Sequence, residues 1–243
     1  MPPVLYLVRH AQGYHNINRQ HHLRDPELTP LGTAQCGELR AAFPHHDRID
    51  VVMASPLKRT VQTAALAFEP ALRRPNVPFL LVPWAQEIAA NACDVGQGRE
   101  ELEGWVRGTF AEMGVRVEPA KVDYGLVEEG WNSKTGIYEP RLSVVEKRAA
   151  SLRTWLWQRP EATIVLVAHG AFLHYFTEDW TAFDPKKGTA FENCEYRKYT
   201  FSADSNASEA HLVEHGVAQV KQGRPPGVHA NVLAEIEAVE ANP

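Results

Sequence analysis

The chain has 243 residues, 44% of them apolar, which suffices for one large α/β domain or two small ones with a substantial core. Its formal charge of -5, with the basic residues scattered, argues against a general nucleic-acid binder, which carries a basic stripe. No apolar stretch approaches the length that crosses a bilayer, and the amino terminus lacks the charged start and long apolar region of a secretory signal. Cys36, Cys93 and Cys194 are odd in number and far apart, which fits buried thiols in a reducing compartment and neither a zinc site nor a disulfide framework. The expected setting is cytoplasmic, where Asn206-Ala207-Ser208 is inert despite its glycosylation-acceptor form.

Val4-Leu5-Tyr6-Leu7-Val8 reads as a buried strand that delivers Arg9 and His10 at its carboxyl end. The polar run 13–29 reads as a loop or short helix over that end, a place for substrate contacts. Thr29-Pro30 sets a capping residue before proline at the first helical position, predicting a helix to about Phe43. Residues 49–54 make a second strand. Ser55-Pro56 repeats the cap-and-proline signal and predicts a helix over 57–68 with Arg59 in its first turn. A third strand is expected at 79–82, stopped by Pro83, with Glu87 soon after.

The stretch 84–140 is the least regular, with a helix at 99–113 and a loop around Gly130-Trp131-Asn132, and reads as a capping insertion. Val144, Val145, Ala149, Leu152 and Leu156 fall near helical spacing and predict a helix over 142–157, in which Trp155 and Trp157 are packing residues. Thr163-Ile164-Val165-Leu166-Val167-Ala168 is the strongest strand and ends in His169-Gly170 before a helix at 171–176. Residues 196–201 suit an antiparallel edge strand. After Pro225-Pro226-Gly227, the pattern Val232, Leu233, Ile236, Val239 predicts a helix at about 228–240 that docks on the body. No internal repeat or linker interrupts the chain, so 1–243 reads as a single domain.

Two strong strands thus end alike, in Arg9-His10 and in His169-Gly170. If they are neighbours, their imidazoles meet where open α/β sheets bind ligands. Arg59 would add a second guanidinium and the positive end of a helix, a cluster suited to a phosphoryl group. These residues resemble a known pattern. Leu7-Val8-Arg9-His10-Ala11 with Asn16, Leu28-Thr29-Pro30-Leu31-Gly32, Ser55-Pro56-Leu57-Lys58-Arg59-Thr60-Val61-Gln62-Thr63, Glu87 and Val167-Ala168-His169-Gly170 are similar, in order, to the landmarks of the histidine phosphatase superfamily, in its phosphoglycerate mutase-like branch. Asn193-Cys194-Glu195-Tyr196-Arg197 resembles a later segment of fungal and plant members.

The resemblance implies a three-layer α/β/α sandwich with a mostly parallel sheet. It also implies that His10 is a nucleophile forming a phosphohistidine, and that Arg9, Asn16, Arg59 and His169 bind phosphoryl oxygens. Glu87 would be the general acid and then the base, with Glu100, Glu101 and Glu103 as competing carboxylates. Ala11 occupies the slot that most members fill with glycine, which puts the approach of backbone amides to phosphate in question. His15, His21, His22, His45 and His46 read as solvated loop residues rather than metal ligands, and Trp84, Trp105 and Trp131 as packing residues of the cap.

The expected activity is hydrolysis of small phosphomonoesters with no metal or organic cofactor and no nucleic-acid or membrane partner. A mutase would need further basic residues on the cap, whereas residues 93–104 carry Asp94, Glu100, Glu101 and Glu103 against Arg99, and no Arg-His-Tyr-Gly segment is found. A mutase, a non-catalytic phospholigand-binding regulator and a metal hydrolase are the alternatives.

Overall fold

A computed structural model describes residues 1–178, 191–215 and 230–242. The first apolar run forms β1, Val4–Arg9, buried from Leu5 onward. Six further strands complete the sheet: β2 (Val51–Ala54), β3 (Phe79–Leu81), β4 (Val122–Asp123), β5 (Thr163–Ala168), β6 (Tyr196–Phe201) and β7 (Leu212–Glu214). Their order is β4-β3-β2-β5-β1-β6-β7. The pairs from β4 to β1 are parallel, while β6 runs antiparallel to β1 and β7 antiparallel to β6. Strand β6 is therefore antiparallel as expected but is not the edge, because β7 covers its outer side. At two and three residues, β4 and β7 are too short to leave a periodic trace.

Parallel strands buried on both faces read as continuous apolar runs, as β1, β2 and β5 do, and alternation then divides their side chains between two cores. Tyr6, Val8, Val52, Ala54, Val165 and Val167 pack on one side with α1 (Pro30–Ala42), α2 (Lys58–Ala67), α3 (Glu69–Leu72) and α4 (Arg99–Glu112). Leu5, Leu7, Val51, Met53, Ile164 and Leu166 pack on the other with α5 (Leu142–Trp157), α6 (Gly170–Thr177) and α7 (Ala230–Glu240). The result is the three-layer α/β/α sandwich. Residues 179–190 and 216–229 lie outside the described residues, so the start of the helix expected at 228 does too.

Two helix starts behave differently. Thr29 caps α1 as its sequence predicts, its Oγ1 accepting from Gly32 N at 3.0 Å with Pro30 at the first position. Gly32 is needed there because a Cβ would lie 2.1 Å from the Gln12 carbonyl oxygen. Ser55 is not the cap of α2: the helix begins at Lys58 after Leu57, whose side chain has no capping group. The cap comes from the distant loop residue Asp25, whose Oδ1 accepts from Lys58 N at 3.0 Å. Among the described residues no helix is long and apolar enough to cross a membrane.

Candidate active site

The β1–β5 register aligns Arg9 with Ala168, so the next residues, His10 and His169, come side by side as both strands end. His10 N donates to Ala168 O at 3.0 Å, and the two imidazole centroids are 5.2 Å apart. The His10 ring is fixed by a 2.7 Å hydrogen bond between Nδ1 and Ala11 O. A carbonyl only accepts, so Nδ1 carries the proton and Nε2 keeps a lone pair. Burial, then Arg59, pushes the pKa of His10 well below its ordinary value, which keeps the ring neutral. His169 is depressed by the same two causes. Its Nε2 lies 2.9 Å from Ser55 Oγ, so the hydroxyl that looks like a helix cap holds a site histidine instead.

Two guanidiniums flank the imidazoles. Arg9, 2% exposed, donates through Nη1 to Phe191 O at 2.7 Å. Arg59, 1% exposed, donates to Cys93 O at 2.6 Å and to Asp94 Oδ1 at 2.8 Å. The Nε of each arginine is buried without a hydrogen-bond partner among the described residues. Asp94, equally buried, was counted from sequence only as an acid of the cap, yet here it is the counter-ion of Arg59.

Glu87 enters from the loop after β3. Its Oε1 accepts from Ile88 N at 3.0 Å and Phe172 N at 2.9 Å, the latter in the first turn of α6. Burial and then the nearby Asp94 raise its pKa. The segment is clamped by cations: Arg148 Nη1 donates to Gln86 O at 2.7 Å and Trp84 O at 3.1 Å, and Lys134 Nζ to Glu87 O at 2.9 Å. Of the competing carboxylates, Glu100 and Glu101 are exposed on α4 and Glu103 pairs with Arg99. Arg148 had a sequence sign, since it sits on the apolar stripe of α5 between Val145 and Leu152. Lys134 had none.

His15 corrects the expectation of a solvated loop residue: it is 5% exposed, with its ring centroid 5.4 Å from that of His10. Burial and Arg59 depress it to about 2. Asn16 is half-buried and is engaged locally, with Nδ2 3.1 Å from His15 Nε2 and Oδ1 accepting from Gly13 N at 3.0 Å. Trp131 packs over Gly96, where a Cβ would lie 2.3 Å from its ring. Trp84 meets Trp155 edge-on, and Trp105 donates to Glu27. No group of three or more His, Cys, Asp or Glu among the described residues is arranged to hold a metal.

The chain matches the family model described as "Histidine phosphatase superfamily (branch 1)" over residues 5–214. It is 29% identical over 209 residues to a phosphoglycerate mutase-like protein of Arabidopsis thaliana, covering 70% of this chain and 72% of the other. It is 25% identical over 211 residues to a probable phosphatase of Schizosaccharomyces pombe, covering 81% and 89%. Among solved structures, a mutant phosphoserine phosphatase of Entamoeba histolytica in complex with phosphoserine superposes with a TM-score of 0.51 at 22% identity, covering 86% of this chain and 94% of that one. The paired strand-end histidines, the two buried arginines and the match over most of its length make this chain a member of the histidine phosphatase superfamily, branch 1.

Proposed function

We propose that this protein is a phosphatase that hydrolyses small phosphomonoesters through a phosphohistidine on His10. The observation that carries the reading is the His10 ring, neutral, fixed through Nδ1 and acted on by two buried guanidiniums, Arg9 and Arg59, which Glu87 also acts on. In the first step Nε2 bonds to phosphorus as the P–O bond to the leaving group breaks, and Glu87 protonates the departing alkoxide. In the second, Glu87 takes a proton from water, the water oxygen bonds to phosphorus, and the P–N bond breaks to release inorganic phosphate. Arg9, Arg59 and His169 stabilise the phosphoryl oxygens through both steps, their positions set in advance by the strand ends and Asp94. Asn16 acts on this site through His15, and residues 84–140 serve as the cap that selects the ester.

Hydrolysis is favoured over phosphoryl relay because the segment that follows Asp94 leads into the exposed carboxylates Glu100 and Glu101 and not into a basic cluster. The test compares phosphate release from a panel of esters, phosphoserine included, with conversion of 3-phosphoglycerate to 2-phosphoglycerate. Hydrolysis should dominate, and His10→Ala should abolish it; dominant mutase activity would overturn the reading. Glu87→Gln should slow alkyl esters far more than activated aryl esters, which leave without a proton. Equal loss for both would remove Glu87 from the role of acid.

A further inference from the structure

Helix α7 packs beside α6 and joins the second core through Val232, Ile236 and Val239, and Glu235 falls on that same apolar face at helical spacing. The residue is 9% exposed, and Glu87 is the charge that acts on its carboxyl most strongly, with the two side chains within hydrogen-bonding reach of each other. The approach depends on Gly170, where a Cβ would lie 2.7 Å from Val232 Cγ2. We propose that Glu235 is a positioning residue for Glu87, the two carboxyls forming a dyad that holds one proton between them. This rests on the reading of Glu87 as the acid and base of the reaction.

Two carboxyl oxygens in hydrogen-bond contact require a proton, because two adjacent carboxylates repel and neither can donate. The backbone places that proton. Oε1 of Glu87 accepts two N–H groups, from Ile88 and Phe172, which favour the anion there. Oε2 of Glu235 is buried with no partner among the described residues, an arrangement that favours a neutral carboxyl. Among the described residues Glu235 makes no ion pair with Arg9 or Arg59, although both guanidiniums act on it electrostatically, and Glu87 is the charge that acts on it most strongly. The charged and titratable groups acting on it are Glu87 itself, Asp94 and Cys93 from the 92–94 turn, Arg59 of α2 and Arg9 of β1. Burial and Glu87 drive its proton affinity up, in keeping with the geometry.

The dyad balances the two half-reactions. One proton leaves the pair with the alkoxide as the P–O bond breaks, and one returns from the water that attacks the phosphohistidine. Without Glu235, Glu87 keeps its N–H donors and loses the group that supplies its proton.

The test measures kcat and KM across pH for Glu235→Gln and Glu87→Gln on an alkyl phosphate and on 4-nitrophenyl phosphate, using the full chain. Glu235→Gln should lower kcat for the alkyl ester about tenfold with KM little changed, spare the aryl ester, and move the alkaline limb of the alkyl profile down by about one pH unit. Infrared difference spectra should show a protonated-carboxyl band that Glu235→Gln removes and Glu87→Gln shifts. An alkyl pH profile, kcat and infrared band like those of the wild type would overturn the dyad, even with Glu87→Gln behaving as an acid variant. A Glu87→Gln that slows both esters alike would instead overturn the assignment of the acid. Should Glu235→Gln unfold, Glu235→Asp replaces it, and a wild-type alkaline limb together with a wild-type infrared band in that variant counts against the proposal.

Discussion

Ala11 shows how a departure from a family pattern is settled by backbone geometry. Its φ is not in the left-handed region, and its N–H donates to Thr63 Oγ1 at 3.0 Å, so nothing there demands glycine. Ala11→Gly should leave kcat/KM within about twofold and lower stability by roughly 1 kcal/mol, measured by urea titration, through added freedom of the unfolded chain. Ser55 has the opposite character, because a common-looking turn residue holds a site histidine. Ser55→Ala leaves buried His169 Nε2 without that partner and should cost about tenfold in kcat/KM, equivalent to about 1.4 kcal/mol, together with about 1 kcal/mol of folding stability. The four strand-end and helix-start residues were legible because an apolar run that stops announces where its next side chains point. Asp94 and Lys134 were not, since each reaches the site from a segment whose place is set by tertiary packing. Arg148 and Glu235 did leave a trace, a charge interrupting an apolar helical stripe.

At the scale of elements, α2 matters most, because its first turn carries Arg59 and its cap lies elsewhere in the chain. Asp25 adopts φ 42°, a left-handed conformation that Asn also tolerates, and burial lifts its carboxyl to about 6. A raised carboxyl pKa means that the folded state holds its proton after the unfolded chain has lost it, so this group's contribution to stability falls as pH rises between about 4 and 6. Asp25→Asn keeps an acceptor without the buried charge. Its melting temperature should exceed that of the wild type at pH 8, and the gap should close below about pH 4. Asp25→Ala, with no acceptor, should be about 1 kcal/mol less stable than Asp25→Asn at both pH values. Sequence placed α1, α5 and the strands β1 and β5 well, for their periods are long and their signals local. It placed the start of α2 within one residue but misassigned its cap, because Ser-Pro is a local signal, whereas the group that caps the helix is 33 residues away in sequence.

For the molecule as a whole, buried imidazoles tie stability to pH. His15 is held neutral, with a pKa of about 2 against an ordinary 6.5, so its contribution is full above pH 6.5 and is lost as the unfolded chain takes up a proton below it. Asp25, Glu87 and Glu235 are shifted the other way and oppose that loss. The difference between His15→Gln and wild type isolates one imidazole: the variant should gain about 2 kcal/mol on the wild type between pH 6.5 and 5 in urea titrations. A constant difference would place a charged His15 in the folded state. The pairing of β1 with β5 has a consequence in time. Residues 9 and 168 must meet before His10 and His169 share a site, so the chain closes a very long loop before any phosphoryl group can be bound. On dilution from denaturant, helices near in sequence re-form early, and catalytic turnover returns only with the slowest kinetic phase.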